Sequence, residues 1–599
     1  MATLEDLRFI SCAYFYKLKD GISISNKDIE NMLIESMSGK KKPFLFNITR
    51  QNGPDTIRYS LRVFKDYPKT PSFLINDEPN WREQKIGYIL VIEYESYIAM
   101  LRKYANVPKW FMDKMQGIDY NVLLSLCTDN ATEFKKMSMQ NLDGSDHAMR
   151  YKSFEAIDLK ENISPIGSSR YYVRSLRGNN GNDKFALTLY SSRINKFKPD
   201  MTIGDICSWV KNVVDQMLVA TSPSTFLKIF AKPEKYADVY KSLTPSSLLV
   251  QNGLISYLHD ECDTKFYHVK NGIRSQIGES LFNKYMQRVL KTYEQVDNIA
   301  EPNGTNRYYT GTNHQIEIVL NKSGIKLKNE LWSSIEIEES PSGLYDGTLA
   351  ELINRNSLFN VYFTDTELVY NNKVLFRDTK LMGCIPHYLS ILEDSINNPI
   401  DCEKHQQQNT NGLAAWGVNS MFAYIEQTQT RNYTYMICDD CNDEWADHIG
   451  INQDVVTFFV EKHKSNVSDS ASDFQEVVGQ AQKNLANLSP SADQLNNKKQ
   501  LWQGLYLHSS IQRFRSATGN VSDAIIMWNN NVLSPKFRRE MCLVVDFLSK
   551  SSFEQQIHNI EVGQAVVHEA SVRQRLWLIS SFVNSCLEYG VIPRIICRP

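Results

Sequence analysis

Several signals that would classify a chain quickly are missing from these 599 residues. No run of 18 apolar residues occurs, so no membrane-spanning helix is expected. The opening MATLEDLRFISCAYFYKLKDG has no basic stretch followed by an apolar core, so it does not read as a signal peptide. A cytoplasmic protein without a membrane partner is the expectation. No G-x-x-x-x-G-K-[ST] loop is present, which excludes a P-loop ATPase, and no G-x-S-x-G elbow is present. Excess charge of either sign is also lacking: the formal net charge is −2. No basic field covers the molecule, so any nucleic-acid contact must use a local basic groove. The 11 cysteines are an odd number scattered over a long chain, which fits reduced thiols better than a disulfide framework.

What is present is ordinary globular composition, 42% apolar and 22% charged. The length implies three or four domains of mixed α and β structure. The expected divisions are an α+β sensing or recruitment region over 1–245, a middle α+β region over 246–385, and a third region over 386–599. PFLFNIT, IRYSLRVF and KIGYILVIEY read as strands, and ESYIAMLRKYAN as a helix. YYVRSLR and KFALTLYSSRI read as strands joined by the turn GNNGNDK. IGDICSWVKNVVDQMLVA reads as an amphipathic helix with Ile206, Val210, Val213 and Met217 on one face. The tract DCEKHQQQNTNG (401–412) reads as an exposed linker, and 485–500 as a loop.

Residues 426–483 carry the clearest chemistry. A helix ends in Glu426, a strand runs into Asp440 and Glu444, a second strand begins near Asp447, and a third ends in Glu461, Lys462 and Lys464. Acids on adjacent strands beside a lysine suit metal-dependent phosphodiester hydrolysis: the acids hold Mg²⁺ and the lysine offsets charge on phosphorus. In the next helix Ser472 and Gln475 have capping-box spacing, and Gln475, Gly479 and Gln480 fall near one face.

The order helix (about 414–428), strand (433–438), strand (445–450), strand (455–463), helix (472–486), strand (540–549) resembles the restriction-endonuclease-like PD-(D/E)XK superfamily. The likeness covers roughly residues 412–599. It implies an αβββαβ core, Mg²⁺ (or Mn²⁺), DNA as substrate and the role of a bacterial antiphage or restriction effector, with a separate helicase or ATPase as partner. Asp447 fits the family's first acid and Lys462 its lysine. The usual acid two residues before that lysine is replaced by Val460, so Glu461 paired with Lys464 is the alternative. Glu426 matches the helix glutamate of some branches, and Glu444 and Asp440 are further metal-ligand candidates. Gln480 matches a helix glutamine that faces the site in some branches.

Other constellations read more simply. Cys438-x-x-Cys441 with Cys402 and His405 has zinc-like spacing, although a core cysteine is the plainer reading of Cys438. His387 and His448 are isolated histidines, and His448 is expected on the face opposite Asp447. Arg170, Arg174 and Arg177 interleave with aromatics and are candidate nucleic-acid contacts, as are Gln475 and Lys483, with a solvated strand face as the plain alternative for the arginines. Lys40-Lys41-Lys42 and Arg513–Arg515 are further basic clusters. The rival to a nuclease is a catalytically inactive scaffold of the same fold that binds nucleic acid or protein.

Overall fold

The computed structural model describes residues 3–37, 44–54, 56–65, 68, 70–71, 80–142, 150–160, 162–163, 168–219, 223–251, 253–260, 264–289, 294–295, 306–310, 316–338, 347–382, 385–406, 411–441, 443–465 and 470–599. The Lys40–Lys42 cluster and the His387 side chain lie outside that description. The chain divides into two compact units: Met1–Glu161 with Arg170–Thr379, and Asn162–Ser169 with Lys380–Pro599. Among the described residues, no helix is long and apolar enough to cross a membrane.

The first unit is built on an eleven-stranded sheet. Its strands are β1 (Cys12–Leu18), β2 (Phe44–Asn52), β3 (Arg58–Lys65), β4 (Ile86–Tyr94), β5 (Tyr97–Lys103), β6 (Met115–Gly117), β7 (Thr132–Asn141), β8 (Tyr151–Glu155), β9 (Tyr171–Asn180), β10 (Asp183–Thr188) and β11 (Arg193–Asn195). Their order is β2-β3-β4-β5-β1-β11-β10-β9-β7-β8, with β6 also on β1. Helix α1 (Asn26–Glu35) packs Ile29, Met32 and Leu33 against Ile89, Val91 and Met100 on one face. Helix α2 (Ile203–Val219) buries the expected Ile206, Val210, Val213 and Met217, and Trp209 meets Phe15 of the other face edge-on. The expected helix at ESYIAMLRKYAN is instead β5. A tight turn with Glu95 at φ 52° sends the chain back so that Tyr94 pairs with Tyr97. Residues Tyr97–Leu101 are all buried between β4 and β1, a cross-strand setting that overrides local helix preference.

Residues 232–377 form three further sheets, of six, four and three strands. They close on one core around Trp332, Phe266 and Phe359. Sheet membership changes between Asn195 and Lys232, ahead of the division expected at 245, and the region 246–379 shares a unit with residues that precede it.

The second unit contains β12 (Leu392–Glu393), α3 (Met421–Gln429), β13 (Tyr435–Cys438), β14 (His448–Ile451), β15 (Val455–Lys462), α4 (Ala471–Asn484), α5 (Ala492–Gln503), α6 (Val521–Asn531), β16 (Arg538–Ser549), α7 (Lys550–Glu561), α8 (Glu569–Glu588) and β17 (Ile592–Arg598). The sheet runs β12-β17-β16-β15-β14-β13. β13, β14 and β15 are antiparallel; β15, β16, β17 and β12 are parallel. β16 is buried along Met541–Leu548, as the apolar run CLVV of a strand covered on both faces requires. Helix α3 covers one face, with Met421 and Ile425 packed on Phe459, Cys542 and Val544. Helices α4 and α8 pack together, the Gln482 amide donating to Ser581 and Ser585 at 3.0 Å.

Three local expectations fail here for identifiable reasons. The loop expected at 485–500 contains α5, whose start is a capping box between Ser491 and Gln494, a signal present in SADQ. The capping box expected at Ser472 does not form, because α4 begins one residue after Ser470. The tract expected as a linker is knit into the unit: Met421 N donates to Cys402 O at 3.0 Å, Phe422 N to Glu403 O at 3.1 Å and Gly417 N to Lys404 O at 3.0 Å. Those bonds satisfy amide groups at the start of α3 that would otherwise be orphaned.

Candidate metal centre at the end of the mixed sheet

The acids expected to bind metal lie on the connection from β13 to β14. Asp447 extends β14 by one residue, its N–H donating to Phe459 O at 3.0 Å, and its own carbonyl accepts from Asp439 N at 3.0 Å. Between them the chain reverses through Cys441 (φ 74°) and Asp443 (φ 49°), both left-handed. The reversal brings carboxylate oxygens of Asp440, Glu444 and Asp447 within 4.8 Å of one another. Among the described residues, no other set of three or more His, Cys, Asp or Glu is so grouped.

Each acid has distinct surroundings. Asp440 Oδ2 is 2.6 Å from Lys404 Nζ and accepts from Tyr506 OH at 2.7 Å. Burial alone would raise its pKa, but the Lys404 charge together with the hydrogen bonds from Lys404, Tyr506 and Cys441 lowers it. Glu444 accepts from Cys441 N at 3.3 Å and lies 3.6 Å from Lys483. Asp447 Oδ2 accepts from Glu461 N at 2.7 Å. Burial, then the negative charges of Glu461 and Asp440, push the Asp447 pKa well above the usual carboxylate range. A cation placed among these oxygens would reverse that excess of negative potential.

Asp439, the acid next to the cluster, points inward. Lys498 reaches both its oxygens at 3.0 Å, Trp502 Nε1 donates at 2.7 Å and Trp445 N at 2.8 Å. Arg513 is buried and donates to Cys438 O at 3.1 Å and Asp440 O at 2.8 Å, which anchors the base of the loop.

The remaining candidates divide between the two faces of the sheet. His448 pairs with Phe459, which packs under α3, and so faces away from Asp447. Glu461 lies on that same α3 face: its Oε1 is 2.6 Å from His448 Nδ1, while its buried Oε2 has no hydrogen-bond partner. Burial raises the Glu461 pKa to about 7, against the opposing pull of His448. Glu426 is engaged on all sides: Arg515 donates at 2.8 and 2.6 Å, Trp416 Nε1 donates at 2.7 Å and His448 Nε2 lies at 3.3 Å. Burial would raise the Glu426 pKa, but His448 and Arg515 bring it down to about 2. Glu426 and Glu461 are thus brought to His448, and neither belongs to the Asp440, Glu444 and Asp447 group.

Lys462 alternates onto the face opposite Glu461, which is the face of Asp447, and Asp447 contributes to its raised pKa after Glu476 and Glu403. Its ammonium lies 2.8 Å from Glu476 of α4 and 3.7 Å from Glu403. Lys464 pairs with Asp473, in the first turn of α4, at 3.1 Å and lies 4.0 Å from the same Glu476. On α4, Gln475 is exposed, Gln480 is half-buried, and Lys483 leans toward Glu444. Gly479 is exposed, and a Cβ there would meet nothing within 4 Å, so no close approach within the fold requires glycine.

Cys438 is a buried core thiol, packed with Trp416 and Phe422, and with Cys402 and His405 it forms no metal group among the described residues. In the first unit Arg170 pairs with Asp378 at 3.2 Å, Arg174 lies over Tyr151 and Tyr190, and Arg177 over Phe197. Tyr171 and Tyr172 are core residues. The residue that sequence reasoning overlooked at the candidate metal centre is Lys404, since the polar tract around it gives no signal of docking.

No protein-family model matches this chain, and no curated protein sequence matches it.

Proposed function

We propose that the second unit is a Mg²⁺- or Mn²⁺-dependent phosphodiesterase that cleaves DNA. The observation that carries the reading is the convergence of Asp440, Glu444 and Asp447 at the strand ends, with Lys462 on the same sheet face as Asp447. These three acids would hold the ion, which when bound lowers the pKa of a coordinated water and offsets charge on the phosphodiester. The donor set, all oxygen, suits a hard cation. Lys462 and Lys404, both with raised pKa, stay protonated at neutral pH and act as fixed positive charges beside a developing phosphorane rather than as bases. The order of elements from α3 to β16 supports the likeness to PD-(D/E)XK nucleases, and with it the role of an antiphage or restriction effector assisted by a separate ATPase.

A second reading, an inactive scaffold, is favoured by Val460 two residues before Lys462 and by Asp440 being held already by Lys404 and Tyr506. One assay separates the two. Supercoiled plasmid and single-stranded DNA are incubated with the purified chain in Mg²⁺, Mn²⁺ or EDTA, beside Asp447→Asn. Metal-dependent cleavage abolished by Asp447→Asn is expected. Intact DNA under every condition would overturn the nuclease and leave the scaffold.

A further inference from the structure

The first unit carries a surface that the metal centre does not use. Half of its large sheet, β7 to β11, is packed on the side of Leu176, Leu187 and Ile194; its other side exposes Arg177, Arg193 and Ser153 and is covered only toward Gln140 and Tyr172, where Asn371, Asn372 and Phe376 lie against the tyrosine. Register carries one row of residues straight across that side: Tyr14 opposite Arg193, then Thr188, Ser175, Ser138 and Ser153. At about 4.8 Å per strand the row spans about 24 Å. The neighbouring row brings Arg177 beside Lys136.

Charge on this side is unbalanced. Lys136 is matched by Glu155 at 2.7 Å, and Glu133 by Lys135 at 2.8 Å. Arg174, Arg177 and Arg193 form no ion pair among the described residues; the Nε of Arg174 has no hydrogen-bond partner, and that of Arg193 donates to Cys12 Sγ at 2.9 Å. Each is instead held against an aromatic ring: Arg174 5.3 Å from the Tyr151 centroid and 5.4 Å from that of Tyr190, Arg177 4.8 Å from Phe197, Arg193 5.9 Å from Tyr14. Tyr151, Tyr190 and Phe197 remain 50, 51 and 40% exposed. Three guanidiniums without a carboxylate partner, set against aromatic rings, flank a strip of small hydroxyls. That chemistry fits a chain of phosphates with flat bases.

We propose that this open side of β7–β11 binds single-stranded nucleic acid, the phosphates over the hydroxyl row and the bases stacked on the arginine–aromatic pairs. It deepens the function proposed above and rests on that reading only for the choice of DNA. A duplex presents no unstacked bases to these rings and gains only the phosphate term.

The test uses the full chain carrying Asp447→Asn, in EDTA, so that binding is read without cleavage. Anisotropy of a fluorescein-labelled oligothymidylate of about 20 nucleotides gives Kd as a function of salt. Arg177→Ala with Arg193→Ala should weaken binding about tenfold or more and flatten the log K against log salt slope by about 1.4, two contacts at about 0.7 each. Lys241→Ala with Lys326→Ala, elsewhere on the unit, should change neither. Unchanged Kd and slope in the arginine pair, absent binding by the parent chain, equal affinity for duplex of the same length, or equal affinity for polyglutamate would each overturn the proposal. Because catalysis is already removed, failure to bind is distinct from failure of the nuclease reading, which the plasmid assay decides separately.

Discussion

Among single residues, Glu426 shows how pairing decides a role. Its place at the end of a helix before three strands made it a metal-ligand candidate, yet Arg515, Trp416 and His448 take up its oxygens. Glu426→Gln should therefore act on stability more than on metal affinity. The folded pKa of about 2 lies below the ordinary value of 4.5, so the contribution is present above about pH 4.5 and is lost as pH falls through about 2. The shift corresponds to about 3 kcal/mol. Urea unfolding of Glu426→Gln against the parent at pH 7 should show that loss, with Mn²⁺ affinity by calorimetry unchanged. A variant as stable as the parent that no longer binds Mn²⁺ would return Glu426 to the metal set. Lys462, the last residue of β15, and Lys464, two residues beyond it, diverge in the same way. Lys462→Ala should slow cleavage by about a hundredfold or more, the scale of losing one transition-state electrostatic contact, whereas Lys464→Ala should do much less. The reverse ranking in single-turnover rates would mean that the wrong lysine faces the phosphate.

For whole elements, alternation and apolar runs made most of the second unit legible. The strands at 433–438, 455–463 and 540–549, with the flanking helices, are present within a few residues of where the sequence implied. The site was legible to the extent that one loop holds it: Asp440, Glu444 and Asp447 fall within eight residues, and strand alternation alone separates Lys462 from Glu461. What stayed hidden depends on contacts distant in sequence. Lys404 reaches Asp440 only because backbone bonds dock its segment on α3, and Lys498 reaches Asp439 only because α5 exists. Strand β5 lies where a helix is expected because its burial comes from two neighbouring strands rather than from its own spacing, and tertiary pairing overrides the local pattern. The α5 start is open to measurement. Ser491→Ala should cost about 1 kcal/mol in chemical denaturation, and Lys498→Met, which strands a buried carboxylate, about 3 to 5 kcal/mol. Equal, small losses in both would mean that α5 does not support the acid loop.

On the scale of the molecule, the boundary matters more than the number of domains. The linker expected at 401–412 invited a cut there, but residues 402–404 bond to the start of α3 and supply the Asp440 counter-charge. A fragment of residues 380–599 should retain the acid loop and cleave DNA with less selectivity than the full chain, which carries the arginine–aromatic surface. A fragment of residues 413–599 should unfold at a lower denaturant concentration, since it lacks the docked segment. Side-by-side unfolding curves and cleavage assays at one salt concentration check both statements, and matching behaviour of the two fragments would show the segment to be dispensable.

The mixed sheet also has a history written into its order of strands. β13, β14 and β15 are neighbours in sequence as well as in space, so the acid loop belongs to a meander of low contact order that can assemble early. β16 enters beside β15 only after 75 intervening residues, and β12 finds β17 roughly two hundred residues after its own synthesis. Until β16 arrives, one edge of β15 is unpaired and the strand that bears Lys462 lacks its parallel neighbour. On the nuclease reading proposed above, a growing chain on the ribosome would carry its acid loop before the strand of Lys462 gains its parallel neighbour, and would stay harmless to the nucleic acid around it until β16 pairs.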